Sequence, residues 1–320
     1  MNPIKKTAAP AALRLALLCA LAAAAQPALP HGFAGKRFFP ATLATDDPFV
    51  ADELSLPTVS SRKLAAAGDS PATRETDASI DLAKRITPNL GLGLGLTHKR
   101  LQPEGGDVQS GLDNLAVGLK YQFYKSDEHE SIASVGIDLD LGHTGAKRVG
   151  AESFSTVTPG IFVGKGFGDL PESMKYLRPL ALTGVAGITM PTKASTTTTN
   201  DDGDVTVERH PNVLNWGFAV QYNLSYLQSF VKDVGLGEPF NRLIPVVEFA
   251  MQTPIDRGRG GTTGTVNPGF IWAGRYFQLG LEAVVPANDR TGGKVGFIAQ
   301  LHFFLDDLYP RSLGRPIFGG

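Results

Sequence analysis

Residues 89–100 read NLGLGLGLTHKR, so that Leu90, Leu92, Leu94 and Leu96 alternate with Gly91, Gly93 and Gly95. A helix would spread these leucines around its circumference, whereas the two-residue period of a strand puts all four on one face and the glycines on the other. One face is apolar and the other is bare. In a water-soluble sheet the leucines would meet a core; in a membrane-spanning sheet they would meet lipid and the bare face would line an interior.

The pattern recurs along the chain. LAVGLKYQF sets Leu115, Val117, Leu119, Tyr121 and Phe123 against Ala116, Gly118, Lys120 and Gln122, and ASVGIDLDLG sets Ala133, Val135, Ile137, Leu139 and Leu141 against Ser134, Gly136, Asp138, Asp140 and Gly142. LNWGFAVQYNL, FQLGLEAV and VGFIAQLHFFL repeat it, with Glu282 and His302 on their second faces. Two acids and two glycines on one face of one strand make a poor core. Residues 78–84, 156–165, 180–190, 243–252 and 266–274 are further candidates, and Pro159, Pro245 and Pro268 fall on their apolar faces, where we expect them near strand beginnings.

The connections alternate in character. TPN, SDEH and Gly274-Arg275 are short, whereas HKRLQPEGGDVQSG, HTGAKRVGAES, KASTTTTNDDGDVTVERHPN and DRGRGGTTGT are long, polar and glycine-rich. Short turns at one end and long loops at the other characterise an outer-membrane barrel whose long loops face outside. Tyr121, Phe123, Tyr124, Trp216, Tyr222, Trp272, Tyr276, Phe277 and Phe303 sit at strand ends, as interfacial aromatics do. Residues 78–304 supply eleven strands. The last must descend to the periplasm, so a chain that starts there needs one more, and ELSLPTVS at 53–60 supplies it. We therefore expect an all-β, up-and-down antiparallel transmembrane β-barrel of twelve strands, with ten as the fallback, in the cell outer membrane.

Flanking segments complete the division. Lys5, Lys6 and Arg14 precede an apolar run from Leu15 to Ala25, which predicts a secretory signal peptide over residues 1–25. Cys19 is the only cysteine and falls inside that run, so the exported chain would carry no disulfide and no thiolate metal site. Residues 26–52 lack periodicity and are expected to form an irregular periplasmic arm. The barrel should occupy 53–308, and 309–320 should be a tail. No apolar run of about 18 residues follows the first thirty positions, so no helical span is available. A net charge of −1 gives no case for nucleic acid as a partner.

Strands such as NPGFIWAGRYFQLGLEAVVP and GGKVGFIAQLHFFL, within residues 75–308, make the chain resemble the proteobacterial outer-membrane proteins named for the meta-pathway of phenol degradation, which are similar in outline to the long-chain fatty acid transporters. The resemblance implies a barrel that passes small apolar or aromatic compounds. The chain departs from the usual ending on an aromatic strand residue, because LDDLYPRSLGRPIFGG follows Phe303 and Phe304.

Asp81, Lys120, Asp138, Asp140, Glu248, Glu282 and His302 are the candidate lumen-lining residues. They either set the preference for a passing solute or pair with one another to fill the interior. TTTTNDDGD at 196–204 lacks the spacing of a calcium loop and reads as a surface loop. GKGFGD has no helix pattern after it and is assigned no role. No histidine pair has ligand spacing, so no metal, cofactor or catalytic residue is expected. LSYLQSFVKDVG has helical spacing and should cover the barrel's base. The expected function is a channel or transporter for small molecules. A structural or adhesive barrel is the alternative, and a membrane-embedded hydrolase the third. The partners expected are outer-membrane lipid, the barrel-assembly machinery and a small-molecule substrate.

Overall fold

A computed structural model describes residues 32–319, apart from 67, 69, 200–202, 258 and 259. The expected signal peptide and part of the 196–204 loop lie outside the described residues. Twelve strands form one sheet: β1 (Glu53–Leu64), β2 (Thr73–Thr87), β3 (Leu90–Pro103), β4 (Leu115–Ser126), β5 (Ser131–Leu141), β6 (Thr156–Gly166), β7 (Leu180–Pro191), β8 (Val213–Tyr222), β9 (Leu243–Pro254), β10 (Thr263–Ala273), β11 (Phe277–Pro286) and β12 (Gly296–Phe304). Each pairs antiparallel with its sequence neighbours, and β12 pairs with β1 from Phe297↔Ser61 to Phe304↔Glu53. The sheet is closed, as the strand parity required, and no edge remains in the bilayer.

The two-residue period sorts the side chains as expected. Leu94, Leu119, Ile137, Ile161, Phe218, Phe270 and Leu281 are exposed on the outside, giving a continuous apolar belt for lipid. Their neighbours Gly91, Ser134, Phe162, Gln221, Glu248, Gln278, Glu282 and His302 are buried within. Pro159 and Pro245 are exposed near the starts of β6 and β9. Pro268 departs from expectation by standing in the middle of β10. There the β10–β11 ladder skips, with Val266↔Val285 and Gly269↔Glu282 paired but neither Asn267 nor Pro268. An outward proline lacks the N–H that the ladder would use.

Strands overrun the sequence reading at the long-loop end. β2 begins at Thr73, not 78, and β3 continues through HKRLQP to Pro103, where a loop was expected. Beyond the bilayer both faces meet water, so the apolar alternation fades while the backbone pairing continues. Outside the barrel, Gln109–Leu112 pairs with β3, and Ser195–Thr199 with Val205–Arg209 forms a separate hairpin. At the short-turn end, Leu224–Tyr226 makes one α-helical turn capped by Asn223, and Leu227–Val231 continues it as a π turn. LSYLQSFVKDVG is thus shorter and less regular than an amphipathic helix.

Leu94 pairs with Leu82 and Val117 in mid-strand and faces lipid. A β-carbon on Gly93 would point inward and find its nearest neighbour 3.8 Å away, on Gly118. Leu94→Arg should therefore cost about 2 to 4 kcal/mol in denaturant unfolding from lipid vesicles, whereas Gly93→Asp leaves the midpoint little changed. Equal losses at both positions would contradict the assigned faces.

Candidate functional site in the barrel lumen

The described part of the segment expected as a periplasmic arm, residues 32–52, lies inside the barrel. It enters at the short-turn rim, loops up to mid-lumen and returns to the same rim, where β1 begins. Phe39, Phe49, Arg37 and Asp52 are buried, the last two completely. The arm reading fails because the segment's apolar residues serve no strand or helix of their own. They match hollows in a wall made by distant strands, so they carry no period.

Those hollows are inward glycines. A β-carbon on Gly280 would stand 2.5 Å from Leu43 Cδ1, one on Gly217 2.8 Å from Thr45 Cγ2, and one on Gly91 3.1 Å from Val50 Cγ1. Leu43 packs with Ala219, Ile244, Val246, Ile271, Val284 and Ile298 of the β8–β12 wall. The bare face of a strand is thus partly a seat for this plug.

Polar contacts fix the plug at its tip, its middle and both roots. At the tip, Glu248 accepts from three successive backbone N–H groups: Leu43 at 2.6 Å, Ala44 at 3.0 Å and Thr45 at 2.7 Å, and also from Thr45 Oγ1 at 2.7 Å. In the middle, Lys120 Nζ donates to Asp46 Oδ1 at 2.9 Å and to the Asp47 carbonyl at 2.7 Å, and Ser134 Oγ donates to the Pro48 carbonyl. At the first root, Arg37 donates to Glu130 at 3.1 Å and to the carbonyls of Pro179 and Arg178, and lies over the Tyr226 ring at 3.8 Å. Gly168 N and Tyr226 Oη donate to the same Glu130 carboxylate. Glu130 leaves no room for β-carbons at Gly166 and Gly168, which gives the unassigned GKGFGD motif a structural role. At the second root, Asp52 accepts from Lys84 Nζ at 2.7 Å, and from Arg85 N and Nε at 2.8 Å each. Lys84 and Arg85 also hold the tail, through the carbonyls of Leu313, Gly314 and Arg315.

Burial lowers the pKa of Arg37, and Glu130 opposes the shift. Tyr226 is pushed up to about 12 by burial and by its hydrogen bond to the Glu130 carboxylate.

The plug divides the remaining space. An inner chamber of about 450 Å³ borders the walls of β1–β6, and an outer vestibule of about 670 Å³ opens toward the long loops. Both are bounded by Leu43, Ala44, Thr45 and Asp46, so the plug tip is the partition between them. Of the candidate residues, Asp81, Lys120, Asp138 and His302 line the inner chamber. Asp81 accepts from Ser79 Oγ at 2.9 Å and Asp140, higher on β5, accepts from Thr156 Oγ1 at 2.8 Å. His302 contacts Ser55 Oγ at 2.9 Å and Glu53 at 3.2 Å. Glu248 and Glu282 point inward but are covered by the plug, at 0% and 1% exposure. Sequence reasoning missed Arg37, Asp46, Asp47, Asp52 and Glu130. A charge-rich stretch with four phenylalanines, Phe33, Phe38, Phe39 and Phe49, next to an exported barrel was the available signal.

No family model matches the chain, and no curated protein does. Among solved structures, an outer membrane channel from Pseudomonas putida F1 has 11% sequence identity and a TM-score of 0.54, covering 83% of this chain and 99% of its own. The β domain of a Bordetella autotransporter has 15% identity and a TM-score of 0.49, with 79% and 99% covered. The first likeness shows the fold, that of an outer-membrane β-barrel.

Tyr226 supplies a pH test of the first root. Its phenol stays protonated in the folded protein up to about 12, against an ordinary value of about 10. The anchor's contribution is therefore complete below about pH 10 and fades as pH rises toward about 12. In the native protein, hydrogen exchange across residues 33–38 should accelerate over that window beyond its intrinsic base-catalysed rise, while Tyr226→Phe leaves only the intrinsic rise. The same acceleration in Tyr226→Phe would remove Tyr226 from the anchor.

Proposed function

We propose that the protein is an outer-membrane channel that passes small solutes through two chambers in series, with the plug tip as the constriction and a preference for cations. The observation that carries the reading is the position of the tip, Leu43–Asp46, between two solute-sized spaces that together run from the long loops to the inner wall. Asp81, Asp138 and Asp140 are exposed to the lumen, and none forms an ion pair with a basic side chain among the described residues. Carboxylates held in a narrow, low-dielectric passage without direct ion pairs concentrate cations and repel anions.

The Pseudomonas putida neighbour is itself an outer membrane channel, which supports the transport reading. So does the sequence resemblance to the meta-pathway barrels, which would extend the permeants to small apolar or aromatic compounds. The reading assigns the chain no reaction. The β8–β12 side of the lumen is packed with the plug, and this favours a sealed structural barrel as the second reading.

Planar-bilayer recording separates the two. Under a potassium chloride gradient the open protein should reverse on the cation side, and Asp81→Asn combined with Asp138→Asn should move the reversal potential toward zero without abolishing conductance. A folded, heat-modifiable barrel that shows neither current nor solute uptake into liposomes would make the structural reading the correct one.

A further inference from the structure

Polar side chains on the two sides of the lumen are treated differently. Along β2–β6 most of them face the open chamber or have partners, Ser79 with Asp81, Thr156 with Asp140, Lys120 with Asp46 and Ser134 with Pro48, and Asp77 Oδ1 is the exception. On β7–β11 the plug covers Thr183, Gln221, Gln278 and Glu282, and Asn267 borders the outer vestibule; each is at most 2% exposed. Thr183 Oγ1, Asn267 Oδ1 and both amide atoms of Gln221 have no hydrogen-bond partner, Gln278 uses only its Nε2, and the Glu282 carboxyl meets only Glu248 and Asn267.

A wall built to be covered permanently would be apolar, as Ile244, Val246 and Ile271 beside these groups are. An inward amide or carboxylate that loses water without gaining a partner opposes the covered state. The same residues are well suited to a wetted surface. Grip on the tip is concentrated in Glu248, which accepts all four hydrogen bonds from residues 43–45, and Gln278 Nε2 adds one donor to the Ala41 carbonyl just before it. The roots on Glu130 and Asp52 lie at the rim and would keep the loop attached after its tip had left the wall.

We infer that the wall beneath the plug is a second, concealed permeation surface. The plug tip leaves it when Glu248 lets go, and Thr183, Gln221, Asn267, Gln278 and Glu282 then offer hydrogen bonds to amide- or hydroxyl-bearing solutes. This rests on the channel reading above and adds the residues that select solutes in the released state.

Gln221 and Gln278 line neither chamber, so a cysteine at 221 reports release directly, and one at 278 does so in a plug that has also lost its donor to the Ala41 carbonyl. In lipid vesicles, Gln221→Cys and Gln278→Cys should react with a membrane-impermeant methanethiosulfonate far more slowly than Asp138→Cys. Adding Glu248→Gln should accelerate them at least tenfold and leave Asp138→Cys unchanged. Thr45→Ala, which removes one tip bond from the plug side, should give a smaller acceleration if Glu248→Gln does not fold. In the Glu248→Gln background, Gln221→Leu should slow liposome uptake of glycerol and acetamide by several-fold, while in the native background it should not.

Failure of both cysteines to label in every folded background overturns the proposal. So does uptake unaffected by Gln221→Leu after release. Cation-selective current with an unlabelled wall would leave the channel reading standing and make the plug a fixed partition. A labelled wall without current would instead sink the channel reading.

Discussion

Backbone that crosses hydrocarbon must find every hydrogen-bond partner within the protein, and this chain meets that demand where β12 closes on β1. Closure removes the sheet edges and commits each strand to two faces of opposite character. It also creates an interior that twelve strands leave too wide for their own side chains to fill. The rest of the structure is a response to that space.

Part of the response is irregular backbone placed at membrane depth, which is tolerated only when protein or water satisfies its polar groups. The wall does this residue by residue. Glu248 takes the N–H groups of 43–45, Gln278 Nε2 donates to the Ala41 carbonyl at 2.6 Å, and Ser134 donates to that of Pro48. Buried polar residues on the β-strands are thus matched to a loop that has no ladder of its own. Fixed charge anchors the ends: Arg37 between Glu130 and Tyr226, and Asp52 between Lys84 and Arg85. A one-sided loss at either root would strand a buried charge, which is far more costly than losing a surface pair.

The barrel was legible in the sequence because lipid and lumen impose opposite chemistries at a spacing of one residue. Leu94 beside Gly93, and Leu139 beside Asp138, state their faces without any distant information. The plug was not legible because its partners are distant. Leu43 and Glu248 are 205 residues apart, and neither end of that contact has a local signature. Glu248 and Glu282 could be placed inward from alternation alone, but nothing local distinguishes an acid that faces solvent from one that holds a loop. Pro268 shows the opposite limit: its outward face was correct, while its place in the strand depended on the β10–β11 register.

Where the plug lies is then a matter of bulk and sign. On β8–β12 the inward positions include Ile244, Val246, Ile271, Val284 and Ile298, which give Leu43 an apolar bed around Gly280. On β3–β5 the inward positions Gly93, Gly95, Gly118 and Gly136 offer little to pack against, and Asp138 and Asp140 stand among them. The plug carries Asp46 and Asp47 of its own, and Asp46 acts on both Asp81 and Asp138 as a like charge. The loop meets that wall through Val50 at Gly91, Pro48 at Ser134 and the Lys120 bridge to Asp46, while repulsion between carboxylates in a confined interior opposes its approach to Asp81 and Asp138. The inner chamber is the space that this balance leaves open. Its acidic lining therefore both excludes the plug and supplies the charge that a permeant cation would meet.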